Sequence, residues 1–281
     1  NVVCGDARAI GQVFVEHPDV RSISLTGSTE TGAQIMSAAG KLIKHTSMEL
    51  GGNSPYVVFE DADLDQAADD LVRVKFMSNG QMCVTANRVF VHESVAEEFR
   101  ERVLDRVTRL RIGNGMEPGV DVGPLISADA VAGVSALVDD SIARGAKLLC
   151  GGSGPLAPEL SAGSFYPPTV LDGVTDEMRV AHEEIFGPVI PLMRFTSEDE
   201  VVRRANATEY GLAAYVYTRD LRKGTRVARK IQAGIVGIND MRPLRAEVPF
   251  GGVKVSGIGR EGGSEGWLEF VEPRVFSMRE A

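Results

Sequence analysis

The stretch RSISLTGSTETGAQIM, residues 21–36, contains the repeating unit of the fold. Residues 21–26 have the composition of a short strand, which ends at Gly27 and Ser28, and residues 30–42 follow with helical spacing of apolar side chains. A strand, a tight turn and a helix in this order predict a parallel sheet that is covered by helices.

The same alternation of strand and helix continues along the chain. Strands are predicted at residues 56–59, 88–92 and 234–239, and helices at residues 63–78, 94–110 and 221–232. Residues 111–126 are rich in Gly and Pro and are predicted to form a connecting loop. The sequence therefore predicts the α/β class, with doubly wound, mostly parallel sheets that carry helices on both faces.

The composition argues against several classes of function. A chain of 281 residues with 43% hydrophobic content has room for one large or two ordinary domains with a real core. The net charge of −9, with acids and bases interspersed, argues against binding to nucleic acid or to an anionic membrane. No apolar run approaches the ~18 residues of a membrane span, and the start shows no signal-peptide pattern. A cytoplasmic location is expected.

Three cysteines, Cys4, Cys83 and Cys150, are too widely spaced for a disulfide framework and indicate a reducing compartment. We expect Cys4 and Cys150 to be packing residues. No metal site is predicted, because HEEIF at residues 182–186 lacks a second histidine and the four histidines are far apart.

Cys83 is a candidate nucleophile and Glu49 a candidate general base. Cys83 lies among Gly, Gln and Asn in NGQMCVTANRV (79–89), which is typical of a thiol presented on a loop. Glu49 lies in MELGGNSP (48–55), where two glycines allow a tight bend or close packing. Each signal alone is weak, since most free cysteines are small buried hydrophobes and most glutamates are solvated.

The chain resembles the aldehyde dehydrogenases, NAD(P)-dependent enzymes that oxidise aldehydes to carboxylic acids. The matching runs are SLTGSTETG (24–32), MELGGNSP (48–55), NGQMCVTANR (79–88), EEIFGPV (183–189) and PFGGVKVSGIGREGG (249–263). The resemblance implies that Cys83 attacks the aldehyde, forming a thiohemiacetal and then a thioester. It implies that Glu49 activates the water that hydrolyses the thioester. The glutamate favours release of a free acid, because relatives that transfer the acyl group to CoA usually lack it.

The resemblance also implies a site for NAD or NADP. GSTETG (27–32) follows a strand and opens a helix, so its N–H groups suit a pyrophosphate, although Ser28 as an ordinary helix cap explains it equally well. In relatives, the positions of Glu184 and Phe186 serve the nicotinamide ribose and ring, and on an extended segment these two side chains would share a face. The implied cofactor contacts are Gly27, Ser28, Leu50, Gly51, Glu184 and Phe186.

The run GIGREG (257–262) has the spacing of a dinucleotide-binding loop but is rejected as one. Only nineteen residues follow Gly262, too few for the remaining helix, strand and acidic residue of such a unit. These glycines are predicted to form a tight loop near the catalytic cleft.

Domain boundaries follow from the resemblance alone. Residues 1–51 are predicted to be the C-terminal part of the cofactor domain, 52–248 the complete catalytic domain, and 249–281 a segment that returns to the cofactor side and to an oligomer interface. We expect the chain to begin inside the cofactor domain and to lack an N-terminal portion with half of the oxyanion hole. An inactive fragment with a structural role is therefore the alternative. A homo-oligomer, dimer or tetramer, is expected.

A small semialdehyde is the predicted substrate. NDMRPLRAEVPFGG (239–252) and CVTANR resemble succinate-semialdehyde dehydrogenases, whose arginine six residues before the cysteine binds the substrate carboxylate. Here that position is Met77, which cannot form the charge-assisted pair. Arg242 and Arg245 lie in the loop that lines the substrate entrance in relatives, and Arg245 is the candidate replacement. The alternative is that both are solvated surface charges.

Overall fold

In the computed structural model, which describes residues 1–154, 156–243 and 245–280, helices and strands alternate. The helices are α1 (Ala7–Glu16), α2 (Thr29–Gly40), α3 (Leu64–Phe76), α4 (Ala96–Val107), α5 (Ala128–Ala143), α6 (Glu198–Asn206), α7 (Leu221–Lys230) and α8 (Gly263–Gly266). The strands are β1 (Ser22–Thr26), β2 (His45–Glu49), β3 (Ser54–Val58), β4 (Ala86–His92), β5 (Lys147–Cys150), β6 (Thr169–Asp172), β7 (Val189–Phe195), β8 (Ala213–Tyr217), β9 (Ile235–Ile238) and β10 (Gly257–Ile258).

The strands form two sheets. A three-stranded sheet has the order β1-β2-β10, with β1 parallel and β10 antiparallel to β2. A seven-stranded sheet has the order β5-β6-β7-β4-β3-β8-β9, in which only β5 is antiparallel to its neighbour. The mostly parallel α/β architecture predicted from the sequence is confirmed.

The predicted elements are observed with small shifts at their ends. The helices predicted at 63–78, 94–110 and 221–232 correspond to α3, α4 and α7, and the strands predicted at 56–59, 88–92 and 234–239 correspond to β3, β4 and β9. Local capping fixes the start of α3, because the Asp63 carboxylate accepts a hydrogen bond from the Gln66 amide at 3.1 Å. The segment 111–126 contains no helix or named strand, as expected of a connecting loop.

Both faces of the seven-stranded sheet are buried. Along β3 and just beyond it, Tyr56 and Val58 pack into one apolar cluster, and Val57 and Phe59 pack into another. Successive side chains of a strand point to opposite faces, so the two clusters lie on opposite sides of the sheet. This burial on both sides explains why the parallel strands have continuous apolar sequences rather than alternating ones.

The C-terminal segment returns to the three-stranded sheet. Gly257 and Ile258 pair with Glu49 and Met48 of β2, which brings the GIGREG run beside the candidate base. Residues 271–280 contain neither helix nor strand. Several large apolar side chains are exposed in the last fifteen residues, namely Trp267, Leu268, Phe270, Val271, Val275, Phe276 and Met278.

Candidate active site

Glu49 is the last residue of β2, and its carboxylate is buried without a partner. The side chain is only 3% exposed, and neither carboxylate oxygen has a hydrogen-bond partner among the described residues. Burial, and next the Glu261 carboxylate, raise the pKa of Glu49 to about 7, although Arg260 lowers it. A carboxyl group with this pKa can take a proton and release it again at neutral pH.

Cys83 lies in a turn that precedes β4. The Thr85 amide donates to the Met82 carbonyl at 3.2 Å, which closes the turn around Cys83. The backbone leading into it is left-handed at Ser78, Asn79 and Gly80. Gly80 is needed for space as well, since a Cβ there would lie 2.1 Å from the Gly187 carbonyl oxygen. The NGQ run therefore forms a tight loop that packs against FGPV.

The two glycines after Glu49 allow three chain segments to meet. A Cβ on Gly52 would lie 2.1 Å from the Cys83 carbonyl oxygen, and one on Gly51 would lie 2.9 Å from Glu184 Oε2. The link between β2 and β3 thus contacts both the cysteine loop and Glu184. The close packing expected at these glycines is confirmed.

The Cys83 thiol is half-buried and surrounded by acids. Burial, then the Glu184 and Glu49 carboxylates, raise the pKa of Cys83 to about 11. In the chain alone, the surroundings of Cys83 therefore favour the neutral thiol over the thiolate. Cys83 lies in a turn before a strand rather than at a helix N-terminus, and its charged neighbours are negative.

Glu184 is anchored on the glycine link. Its Oε1 accepts a hydrogen bond from the Gly52 amide at 3.0 Å, and burial raises the pKa of its carboxyl group. The expectation that Glu184 and Phe186 lie on one extended segment is wrong, because Phe186 has a left-handed backbone with φ of 49°. The turn at Phe186 redirects the chain into Gly187, and the phenyl ring is partly exposed.

The turn at Gly27 and Ser28 opens α2 and borders a cleft. The Gly27 amide donates to the Glu49 carbonyl at 3.0 Å, which places this turn next to the candidate base. Ser28 caps the helix, since its hydroxyl accepts from the Thr31 amide at 3.2 Å. A cleft of about 620 Å³ lies between α1 and α2 and includes Thr31 in its lining. A helix N-terminus beside a cleft and a buried carboxylate suit an anionic, ribose-containing cofactor.

Leu50 contributes packing rather than an open contact surface. Its side chain is buried with Met48 and Ile23, and a Cβ on Gly32 would lie 2.5 Å from Leu50 Cδ2. Close packing of α2 on the strand end therefore needs both residues.

The chain matches known proteins over nearly its whole length. The profile of the aldehyde dehydrogenase family matches residues 1–276. The chain belongs to the aldehyde dehydrogenase family.

Related aldehyde dehydrogenases include several that carry semialdehyde names. The chain is 47% identical over 272 residues to 3-sulfolactaldehyde dehydrogenase of Pseudomonas putida, covering 97% of the chain and 55% of that protein. It is 46% identical to the NADP-dependent succinate-semialdehyde dehydrogenase of Escherichia coli, covering 97% and 56%. The chain therefore spans about half the length of these relatives.

Solved structures of the family superimpose closely. The crystal structure of an Escherichia coli NADP-dependent enzyme matches with a TM-score of 0.93 and 45% identity, over 97% of this chain and 56% of that one. Betaine aldehyde dehydrogenase of Staphylococcus aureus, solved with NAD⁺, matches with a TM-score of 0.91 and 37% identity, over 95% and 53%. The aldehyde dehydrogenase fold predicted from the sequence is confirmed.

In this member of the aldehyde dehydrogenase family, the GIGREG glycines form a tight loop beside Glu49. Gly259 and Gly262 have positive φ, and a Cβ on the preceding Gly251 would lie 2.9 Å from Glu49 Oε1. Within this loop, Arg260 and Glu261 have opposite effects on the pKa of Glu49. The predicted tight loop is observed, and it lies beside the candidate base.

The two arginines predicted to bind the substrate differ in whether they line a pocket. Arg245 lines an open pocket of about 340 Å³ together with Phe250 and Glu261. Arg242 is exposed and does not line this pocket. Met77 directly follows α3, and its side chain is exposed.

Sequence reasoning missed a buried polar group behind the site. Lys75 is fully buried and its Nζ donates to Asn87 Oδ1 at 2.8 Å. A signal was present, because Lys75 follows Ala68 and Leu71 at the spacing of the apolar face of α3.

Among the residues that the structure describes, no helix is long and apolar enough to cross a membrane. Over the same residues, no group of three or more metal-ligating side chains converges.

Proposed function

We propose that the protein containing this chain oxidises a small aldehyde to a carboxylic acid with NAD⁺ or NADP⁺. The Cys83 sulfur bonds to the aldehyde carbon, and its proton passes to a base. The adduct loses a hydride, which leaves an acyl thioester on Cys83. A water molecule then attacks the thioester and gives a proton to Glu49, which frees the acid and restores the thiol.

The observation that carries the proposal is the state of Glu49. A buried carboxylate with two unpaired oxygens costs free energy, and a structural role would normally satisfy them. Instead, Glu49 has a pKa of about 7 and lies near enough to Cys83 to raise the pKa of the thiol. A general base works best when its pKa is near the working pH.

The chain contains residues suited to hold the cofactor. The turn at Gly27 and Ser28 leads into the α2 N-terminus, whose first N–H groups suit a pyrophosphate, and the cleft between α1 and α2 suits the adenosine end. Glu184 and Phe186 are proposed for the nicotinamide ribose and ring, and Leu50 and Gly51 for backbone contacts. When bound, the cofactor accepts the hydride. Relatives use NADP in one case and are solved with NAD⁺ in another, so both are candidates.

The test is a comparison of pre-steady-state and steady-state rates in the protein that contains this chain. Glu49→Gln should keep a burst of NAD(P)H and lose steady turnover, because the thioester forms but is not hydrolysed. Glu60→Gln, a surface glutamate paired with Lys223 at 2.7 Å, is the control and should keep both phases. Undiminished steady turnover in Glu49→Gln would remove Glu49 from the mechanism.

We propose further that the substrate has an anionic tail. Relatives are named for sulfolactaldehyde and for succinate and glutarate semialdehydes, all of which are acids. Arg245 supplies a guanidinium in the 340 Å³ pocket, whereas Met77 cannot form a charge-assisted pair. The wild type should prefer succinate semialdehyde to butanal, and Arg245→Ala should reduce this preference. Arg242→Ala should leave it unchanged, since Arg242 lies outside the pocket. An equal loss in both variants would assign the effect to general surface charge.

The alternative is an inactive piece with a structural role, and the observation in its favour is the length. The chain covers about 55% of the length of its relatives, and the resemblance implies that half of the oxyanion hole comes from another part of such enzymes. Losing one such donor typically costs 10²–10³ in rate. Mass analysis of the natural protein, followed by an activity assay of this chain with and without the complementing part, separates the two.

Domain organisation and assembly belong to the same proposal. The separate three-stranded sheet supports residues 1–51 and 249–281 as parts of a cofactor domain, with 52–248 as the catalytic domain. Exposed Phe270 and Phe276 near the C-terminus suit a homo-oligomer interface, dimer or tetramer. Light scattering of the wild type and of Phe276→Ser checks the assembly.

A further inference from the structure

Lys75 is a fully buried lysine in a position where an apolar residue would fit. It lies near the end of α3 on the face that also buries Leu71 and Val72, and its side chain has no exposed surface. Its Nζ has one hydrogen-bond partner among the described residues, the neutral Asn87 Oδ1 at 2.8 Å. Burying a cation without a direct counter-ion is unfavourable, and burial accordingly lowers the pKa of Lys75 to about 7, although Glu184 raises it. A role beyond packing would explain why a lysine is placed here.

Hydrogen bonds lead from Lys75 into the active site. Asn87 Nδ2 donates to the Gly52 carbonyl at 3.3 Å, and the Gly52 amide donates to Glu184 Oε1 at 3.0 Å. Lys75 and Glu184 also interact directly through their charges, because each stabilises the charged form of the other. The cation and the carboxylate are therefore joined through one side-chain amide and the backbone of one glycine.

The Gly52 backbone lies between the Asn87 side chain and the loop that carries Cys83. A Cβ on Gly52 would lie 2.1 Å from the Cys83 carbonyl oxygen, so the backbone there has little room to move. The Gly52 carbonyl accepts from Asn87 and the Gly52 amide donates to Glu184, so the position of this glycine links the two side chains. Asn87 is itself fixed on β4, four residues after Cys83.

We propose that Lys75 is a positioning residue that acts through Asn87 and Gly52 to hold the Glu184 carboxylate ionised and in place for the cofactor. The inference rests on the proposed function, because it takes Glu184 as a cofactor contact. Among the described residues, Lys75 hydrogen-bonds to Asn87 and not to the Cys83 thiol. Its effect belongs to cofactor affinity rather than to thioester hydrolysis.

The test uses Lys75→Met, which keeps the length of the side chain and removes its charge. In the protein that contains this chain, the variant should be as stable to heat as the wild type or more so, since no charge remains buried. Its Kd for NAD(P)⁺, measured by calorimetry, should rise about tenfold, the effect of one lost charge-assisted contact. Leu71→Met, one turn earlier on the same buried face, is the matched control and should leave Kd unchanged.

The dependence on Glu184 is tested in a second background. In Glu184→Gln, adding Lys75→Met should change Kd no further, because the carboxylate on which Lys75 acts is gone. An equal rise in both backgrounds would overturn the proposal, and so would a Lys75→Met variant that melts lower while Kd stays at the wild-type value. If the wild type binds neither NAD⁺ nor NADP⁺, the proposed function itself is refuted and the positioning role falls with it.

Discussion

Glu49 should make the stability of the chain fall as the pH rises from acid to neutral. Its pKa is 4.5 in the unfolded chain and about 7 in the folded one, so folding retains a proton that the unfolded chain loses. The folded carboxyl group is protonated below pH 4.5 and adds no penalty there. As the pH rises from 4.5 to 7 the unfolded chain ionises first, and the stability lost reaches about 3 kcal/mol above pH 7.

The perturbation that isolates this effect is Glu49→Gln, which keeps the shape and cannot ionise. Urea unfolding of both proteins at pH 5 and pH 8 should show the variant gaining roughly 2–3 kcal/mol relative to the wild type over this range. Glu60→Gln is the control of opposite sign, because Lys223 lowers the pKa of Glu60 and removing that carboxylate costs stability at neutral pH. A stability difference between Glu49→Gln and wild type that is the same at both pH values would refute the reasoning.

Three further outcomes follow from the packing of the site. Gly52→Ala should lower the free energy of unfolding by about 1–3 kcal/mol, because its methyl group meets the Cys83 carbonyl. Gly40→Ala, which has open space, should lower it by far less in the same urea titration. Iodoacetamide at pH 8 should alkylate exposed Cys4 before Cys83 in the chain alone, and peptide mapping that finds Cys83 first would contradict its raised pKa. Arg88→Met should cost several kcal/mol, because three backbone carbonyls lose their donor, and thermal unfolding measures it.

The local elements could be predicted from the sequence because their signals are local. Asp63 as a helix cap and the apolar runs of β3 and β4 act through neighbouring residues, so spacing alone finds them. The candidate pair Glu49 and Cys83 was also visible, since their flanking glycines mark close backbone contacts. The boundaries between domains could not be found from local patterns. The reason is that β10 pairs with β2, a strand about two hundred residues earlier in the chain.

The charges of the site could not be predicted, because they depend on which residues meet in space. Burial, which no motif reports, raises the pKa of Cys83 most, and the Glu184 carboxylate, about one hundred residues away, raises it further. The left-handed turn at Phe186 arises where the FGPV loop packs against Gly80, so the extended segment assumed from sequence does not form. Lys75 was overlooked for the related reason that a lysine inside an apolar pattern is usually a solvated residue at a helix edge.

The acidic surroundings of the thiol determine what the site needs in order to work. Because the pKa of Cys83, about 11, lies above that of Glu49, about 7, moving the proton from sulfur to carboxylate is unfavourable in the chain alone. A single positive charge about 4 Å from a thiolate contributes about 4 kcal/mol at the effective dielectric of a protein surface. One bound cation at this distance would therefore lower the pKa of the thiol, whereas Lys75 interacts with Glu184 on the other side of the glycine link. An oxidised nicotinamide ring carries such a charge and a reduced one does not, so the same electrostatics would favour the thiolate only before the hydride is transferred.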